Sequence, residues 1–334
     1  MGTLLTDADE AVHPNGAQSN WNESRYIDFW DARLRVGGWF RIGNRPNEGR
    51  AEMSACINLP DGKTAFMFDR PQIAANTLQS GNQSWEIVQP WRVNRVRYTG
   101  ELMVFDDPWM LTDPKKAYST APRTQGAVDL TCRSSGLQSV MGFDQDHIER
   151  IFLPGQADFH YQHLIHTTGT VRVGERTWAV DGRGGKDHSW GPRNWHAKIY
   201  LRWIICAVDD ENGFMLVRGV GPTKKTRSGF VLDRGKFHLV DDFEMRNVFA
   251  GAPHFELRKV ELRIASGRRT WNAVGTPQAW LPLRHKQKNS KGEDALLRIV
   301  KSPTEWKFEG ETSGTGMCEY HDLIVDDRPV GLYD

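Results

Sequence analysis

Short runs in which apolar and polar side chains alternate recur along the whole chain, and they constrain the fold more than any other feature. A period of two places every apolar side chain on one face of an extended strand. In residues 50–57, Ala51, Met53, Ala55 and Ile57 share one face, while Arg50, Glu52 and Ser54 share the other. That run predicts a half-buried strand, and Asp61-Gly62 predicts a hairpin turn into a partner at 63–68. Further strands are expected at 95–105, 127–133, 159–173 and 176–180, with a turn at Gly174-Glu175 between the last two. The second half continues with 200–208, 214–220, 255–264, 271–276, 295–300, 305–308 and 317–325. Strands about ten residues apart, punctuated by Gly, Asp and Pro, argue for a sandwich or barrel and against an α/β fold. Residues 143–153 are the best helix candidate in the first half, and 71–91 reads as a loop or short helix. The Asp-, Pro-, Thr- and Ser-rich stretch 106–126 is expected to form a lid or rim loop. Residues 1–20 read as a mobile polar arm.

With 334 residues the chain is long enough for one large domain or two ordinary ones. Lys and Arg number 43 against 42 Asp and Glu, and this balance argues against a nucleic-acid partner. Cys56, Cys132, Cys206 and Cys318 lie far apart, with no Cys-x-x-Cys pair, and are expected to be reduced and buried in a cytoplasmic protein. No apolar run approaches the roughly 20 residues of a membrane span. The first residues lack the basic and apolar regions of a secretory signal. The 13 tryptophans each carry an N–H that needs a partner, so cavity lining and core filling are both open for them.

The densest chemistry lies at 181–196, where Asp187, His188, Ser189, Trp190, Arg193 and Trp195 follow glycines 182, 184 and 185. Glycine there permits either a sharp bend or a close approach of another segment. Gly182-Arg-Gly-Gly185 does not open a helix within a βαβ unit, so it is no dinucleotide fingerprint, and no cofactor is expected. Asp187, His188 and Ser189 name the members of a hydrolase triad, but neighbours in sequence point in different directions. His160, His163 and His166 suggest a metal site, yet on a strand His160 and His166 point one way and His163 the other. No metal is expected.

What remains is acid–base chemistry in an aromatic cavity. A buried Asp187 would have a raised pKa and donate a proton, with His188 as partner base. Trp39, Trp190, Trp195 and Trp203 would present π-faces to a developing cation, and Arg193 is a further substrate-binding candidate. Glu319 and Tyr320 are candidates for a second acid/base pair at the ligand. The same residues would equally serve as a brace, with Asp187, His188 and Ser189 bonding backbone at a junction and Arg193 paired to a carboxylate. Arg41, Asn44 and Arg45 favour structural pairing.

Residues 182–193 resemble the signature of the AttH-like and carotenoid 1,2-hydratase (hydroxyneurosporene synthase) group of double lipocalin-like proteins. The segments 38–45, 316–320 and 326–331 fit the same group, so the resemblance spans nearly the whole chain. Lys186 departs from it, standing where Arg is more usual. The resemblance implies an all-β fold of two lipocalin-like (calycin) antiparallel barrels packed together. The expected division is an arm at 1–20, an N-terminal barrel at 21–180 and a C-terminal barrel at 181–334 that begins with the signature as a loop. It also implies a cofactor-free hydratase, cyclase or isomerase acting on a hydrophobic terpenoid- or polyketide-like molecule. The alternative is a non-catalytic barrel that binds a hydrophobic ligand.

Overall fold

The structure is a computed structural model and describes residues 5–136, 149–194, 198–288 and 293–332. Ten strands form the first sheet: β1 (Trp21–Asp31), β2 (Val36–Arg45), β3 (Arg50–Asn58), β4 (Thr64–Asp69), β5 (Gln79–Ser80), β6 (Gln83–Gln89), β7 (Val93–Phe105), β8 (Arg123–Arg133), β9 (Phe159–Val173) and β10 (Arg176–Pro192). Their order is β4-β3-β2-β1-β10-β9-β8-β7-β6-β5, all antiparallel neighbours, and β4 pairs back onto β7 to close the barrel. Eleven strands form the second sheet: β11 (Tyr200–Ala207), β12 (Gly213–Val220), β13 (Lys225–Asp233), β14 (Lys236–Leu239), β15 (Asp242–Phe249), β16 (Leu257–Ser266), β17 (Arg269–Pro277), β18 (Leu281–Lys288), β19 (Asp294–Phe308), β20 (Thr312–Val325) and β21 (Arg328–Pro329). The all-β double-barrel expectation holds. Several of the described strands, β6, β13, β15 and β18 among them, have no counterpart in the sequence reading.

Three departures have clear causes. The runs at 295–300 and 305–308 join as the single strand β19, with Pro303 inside it. Pro303 sits where β19 changes partner, from β18 at Lys301 to β17 at Thr304, so its missing N–H breaks neither ladder. The signature is no loop: residues 181–192 continue β10, held between β9 and β1. The chain therefore leaves the first sheet after Pro192 and enters the second at Tyr200, later than the expected division near 180. Finally, β3 is buried on both faces, because its polar face looks toward the second barrel rather than solvent.

The glycines of the signature serve close approach. A methyl on Gly184 would lie 2.3 Å from the backbone oxygen of Asp28 on β1, which cannot move aside. On the opposite face, a methyl on Gly185 would meet Ile205 and Met215 of the second barrel at 2.6 and 2.7 Å. A shared core that includes Tyr26, Trp39, Phe66, Leu201, Trp203 and Ile205 joins the two barrels, while each keeps a separate core behind its own sheet. Bonds across the seam run from Trp30 Nε1 to Glu305 (2.9 Å) and from Thr315 Oγ1 to the Arg183 carbonyl (3.0 Å).

The described part of the expected mobile arm, residues 5–20, is instead docked on the first barrel. Glu10 is fully buried, with its carboxylate oxygens 2.6 and 2.7 Å from Lys186 Nζ, and it accepts a further bond from the Tyr161 hydroxyl. His13 stacks on Trp190 at 3.9 Å. Burial raises the Glu10 carboxyl, but Lys186, His163 and Tyr161 outweigh it and hold its pKa far below the ordinary value. Glu10→Ala leaves Lys186 charged and buried alone, so a loss of about 3–5 kcal/mol in unfolding free energy is expected by urea denaturation. Adding Lys186→Met in the same chain should recover most of it.

Candidate active site

Between the two sheets lies a cavity of ≈ 370 Å³. Strand alternation decides what reaches it. Along β10, Asp187 and Ser189 face the cavity, while Lys186, His188 and Trp190 point into the first barrel. Along β20, Glu319 and His321 face it, while Tyr320 turns into the second barrel and donates to Asn247 Oδ1 at 2.7 Å. Trp39 on β2 and Trp203 on β11 form aromatic walls, and Tyr26 and Phe66 complete them. The stretch 106–126 supplies part of the rim as expected, with Leu111 in a 3₁₀ turn and Pro114 and Tyr118 in α1 (Pro114–Thr120).

Of the sequence candidates, Asp187, Trp39, Trp203, Arg193 and Glu319 line the cavity. His188, Trp190 and Tyr320 do not, because each lies an odd number of residues from a cavity-facing neighbour on its strand. Trp195 lies outside the described residues, as does most of the helix candidate at 143–153. Arg41 lines the cavity and pairs with Glu52 at 3.2 Å, whereas Asn44 and Arg45 make the expected structural bonds with Ser80 and Glu48.

Asp187 is not the raised-pKa acid the sequence suggested. Burial pushes its carboxyl up, but the His160 charge and hydrogen bond, then Arg193, prevail and hold the pKa below its ordinary value. His160 Nε2 sits directly on Asp187 Oδ2, and Gln162 Nε2 donates to the same oxygen at 3.4 Å. An ionised carboxylate only accepts, so Nε2 of His160 carries the hydrogen and Nδ1 keeps the lone pair in the neutral ring. That Nδ1 is buried without a hydrogen-bond partner among the described residues, as are Gln162 Oε1 beside it and Trp203 Nε1 on the other sheet. A buried polar atom left unpaired costs about 1–3 kcal/mol, and a bound molecule with polar groups would relieve that cost.

The second sheet contributes a linked set. Lys301 Nζ contacts Glu319 Oε2, and His321 Nε2 donates to Glu319 Oε1 at 2.5 Å. Lys198 Nζ reaches His321 Nδ1 at 3.3 Å. The Lys301 ammonium also lies over the rings of Tyr26 (4.2 Å) and Trp39 (4.9 Å), so it occupies the π-face that the sequence offered to a substrate cation. Burial pushes the Lys301 amine well down from its ordinary value and pushes the Asp28 carboxyl up. Burial, then the neighbouring Lys198 and Lys301, pushes the His321 imidazole well below its ordinary value.

Sequence reasoning set His160 aside with the metal pattern and missed Lys198, Lys301 and His321. The signal for His321 was present, since a period of two from Glu319 puts both on one face. His13, Glu23 and His188 are spaced to hold a metal ion at the back of the first sheet. However, Glu23 already accepts from His188 Nε2 (2.7 Å), Arg25 (2.9 Å), Asn76, and the ring and backbone of His13. Arg25 adds a positive charge there, and the cluster reads as a structural hub.

Two antiparallel β-barrels facing each other across an internal cavity define the AttH-like, double lipocalin-like fold. An AttH candidate from Nitrosomonas europaea superposes with a TM-score of 0.59 at 14% identity, covering 92% of this chain and 94% of that one. CghA, solved with Sch210972, gives a TM-score of 0.56 at 12% identity over 98% of this chain and 95% of its own. A second crystal structure of CghA gives 0.55 at 11% identity, covering 98% of each chain. Residues 6–324 match the family described as Domain of unknown function (DUF7064), and the chain belongs to that family. No curated protein matches it in sequence. No helix among the described residues is long and apolar enough to cross a membrane.

Proposed function

We propose that the protein is an enzyme of the hydratase, cyclase or isomerase type, which moves protons with its own side chains on a hydrophobic terpenoid- or polyketide-like molecule. The observation that carries this reading is the His160–Asp187 pair on the cavity wall, with Nδ1 of His160 buried and unpartnered. His160 accepts a proton at Nδ1, and Asp187 stabilises the imidazolium that forms. Returning that proton to a second carbon completes an isomerisation; delivering it to an alkene opens a cyclisation or hydration. Trp39 and Trp203 shape the apolar body of the site, and the Lys301–Glu319–His321 set supplies a second acid/base group from the other sheet. The similarity in fold to CghA, which was solved with a small molecule, supports a small-molecule site in the same architecture.

The cavity by itself also suits a carrier that binds a ligand and leaves it unchanged. Incubation in D₂O with an organic-solvent extract of host cells, followed by mass spectrometry, separates the two readings. Proton transfer imprints solvent deuterium on a molecule that wild type converts and His160→Gln does not. A molecule retained by both proteins without isotope uptake would show a carrier instead.

A further inference from the structure

The charge of the cavity wall differs from that of the chain. Overall the sequence is nearly balanced, at net +1. Among the described residues lining the cavity, Arg41, Arg70, Arg193, Lys198, Arg284 and Lys301 stand against only Glu52, Asp187 and Glu319. His160, His285 and His321 add three imidazoles to the same wall. Lys198 and Lys301 are buried, so water does little to screen them.

We infer that the cavity takes an organic anion, an apolar skeleton ending in a carboxylate or an acidic enol, with the anionic end among Arg41, Arg193 and Lys198. The inference deepens the proposed function and rests on the cavity being the substrate site. The apolar end of the ligand lies against Phe66, Leu111, Tyr118, Phe152 and Leu283. Crowding of like charge fits this arrangement. Burial and the neighbouring Arg193 push the Lys198 amine well below its ordinary value, and burial with Arg41 lowers Arg193 to about 10. An anion seated among them offsets the mutual repulsion and lets Lys198 keep its proton. For an enzyme that draws a proton from carbon, the same cations stabilise the oxyanion that develops on a neighbouring carbonyl.

A matched pair of dyes tests this directly: 8-anilinonaphthalene-1-sulfonate and N-phenyl-1-naphthylamine, which differ by the sulfonate alone. An apolar cavity without excess charge favours the neutral dye, because the sulfonate must shed water. The expected result is the reverse order, with the sulfonate bound about tenfold or more tightly, as charge-assisted bonds to a buried anion imply. Lys198→Met and Arg193→Gln should each narrow that margin at least about threefold while leaving the neutral dye unchanged. Ala157→Trp, which fills the cavity from its wall, should abolish both. Equal affinity for the two dyes, or a sulfonate preference that survives Ala157→Trp, would overturn the anion inference and leave the cavity reading standing. Failure of both dyes to bind wild type would overturn the two together.

Discussion

Asp187→Asn is expected to lower turnover by about 10²- to 10⁴-fold while ligand affinity and unfolding free energy stay close to wild type. The reason lies in the hydrogen bond to His160 rather than in any proton on Asp187. An ionised carboxylate fixes the hydrogen on Nε2 and stabilises the imidazolium, whereas an amide does neither. Asn is nearly isosteric, so the wall of the cavity keeps its shape. In the proposed mechanism Asp187 acts through His160, so the two should not act independently. His160→Gln, Asp187→Asn and the double variant are expected to lose similar amounts, where independent groups would multiply. Multiplicative losses in that cycle would mean that Asp187 touches the substrate itself.

Acidification from pH 7 to pH 4.5 is expected to destabilise the fold steeply. Burial, then Lys186, lowers His163 to about 3, and burial, then Arg25, lowers His188 to about 3. Burial likewise lowers His285 to about 4. Below the ordinary histidine value of 6.5 the unfolded chain takes up protons that these folded imidazoles refuse, so stability is full above that pH and falls beneath it. Each such histidine contributes a slope of about 1.4 kcal/mol per pH unit until its folded pKa is reached. Glu10 and Glu23, held far below their ordinary carboxylate range, extend the loss once the pH drops under 4.5. Urea denaturation at pH 7, 6 and 5 reads the slope. His163 offers the sharpest control, because both its ring nitrogens are buried without a hydrogen-bond partner among the described residues. His163→Met should raise stability at pH 5 and remove one histidine's share of the slope. An unchanged profile in that variant would show that His163 does not remain neutral in the folded protein.

The alternation of residues 50–57, the turn at Asp61-Gly62 and the long strand at 159–173 were legible locally, because strand side chains alternate whatever lies around them. The four buried, unpaired cysteines followed from composition and spacing in the same way. The resemblance of 182–193 supplied the pairing of two barrels, which local pattern alone left as a choice between sandwich and barrel. The sequence also located Asp187, Trp39, Trp203, Arg193 and Glu319, chemically distinctive residues that do meet at one cavity. It misjudged His188, Trp190 and Tyr320 because chemistry of that density suggested a convergent loop, whereas the chain is extended there and sends alternate side chains apart.

The alternating pattern and the signature residues therefore determined that this chain builds β-barrels and singled out Asp187, which lines the cavity. Only the tertiary structure decided which face of each strand meets the other barrel, and with it that Asp187 lies against His160 with its pKa held below the ordinary value. The partners that set its charge, His160 and Arg193, reach it across strands and at the barrel seam. A carboxyl's protonation depends on the balance between burial and neighbouring charge, and that balance exists only once the sheets have closed on each other.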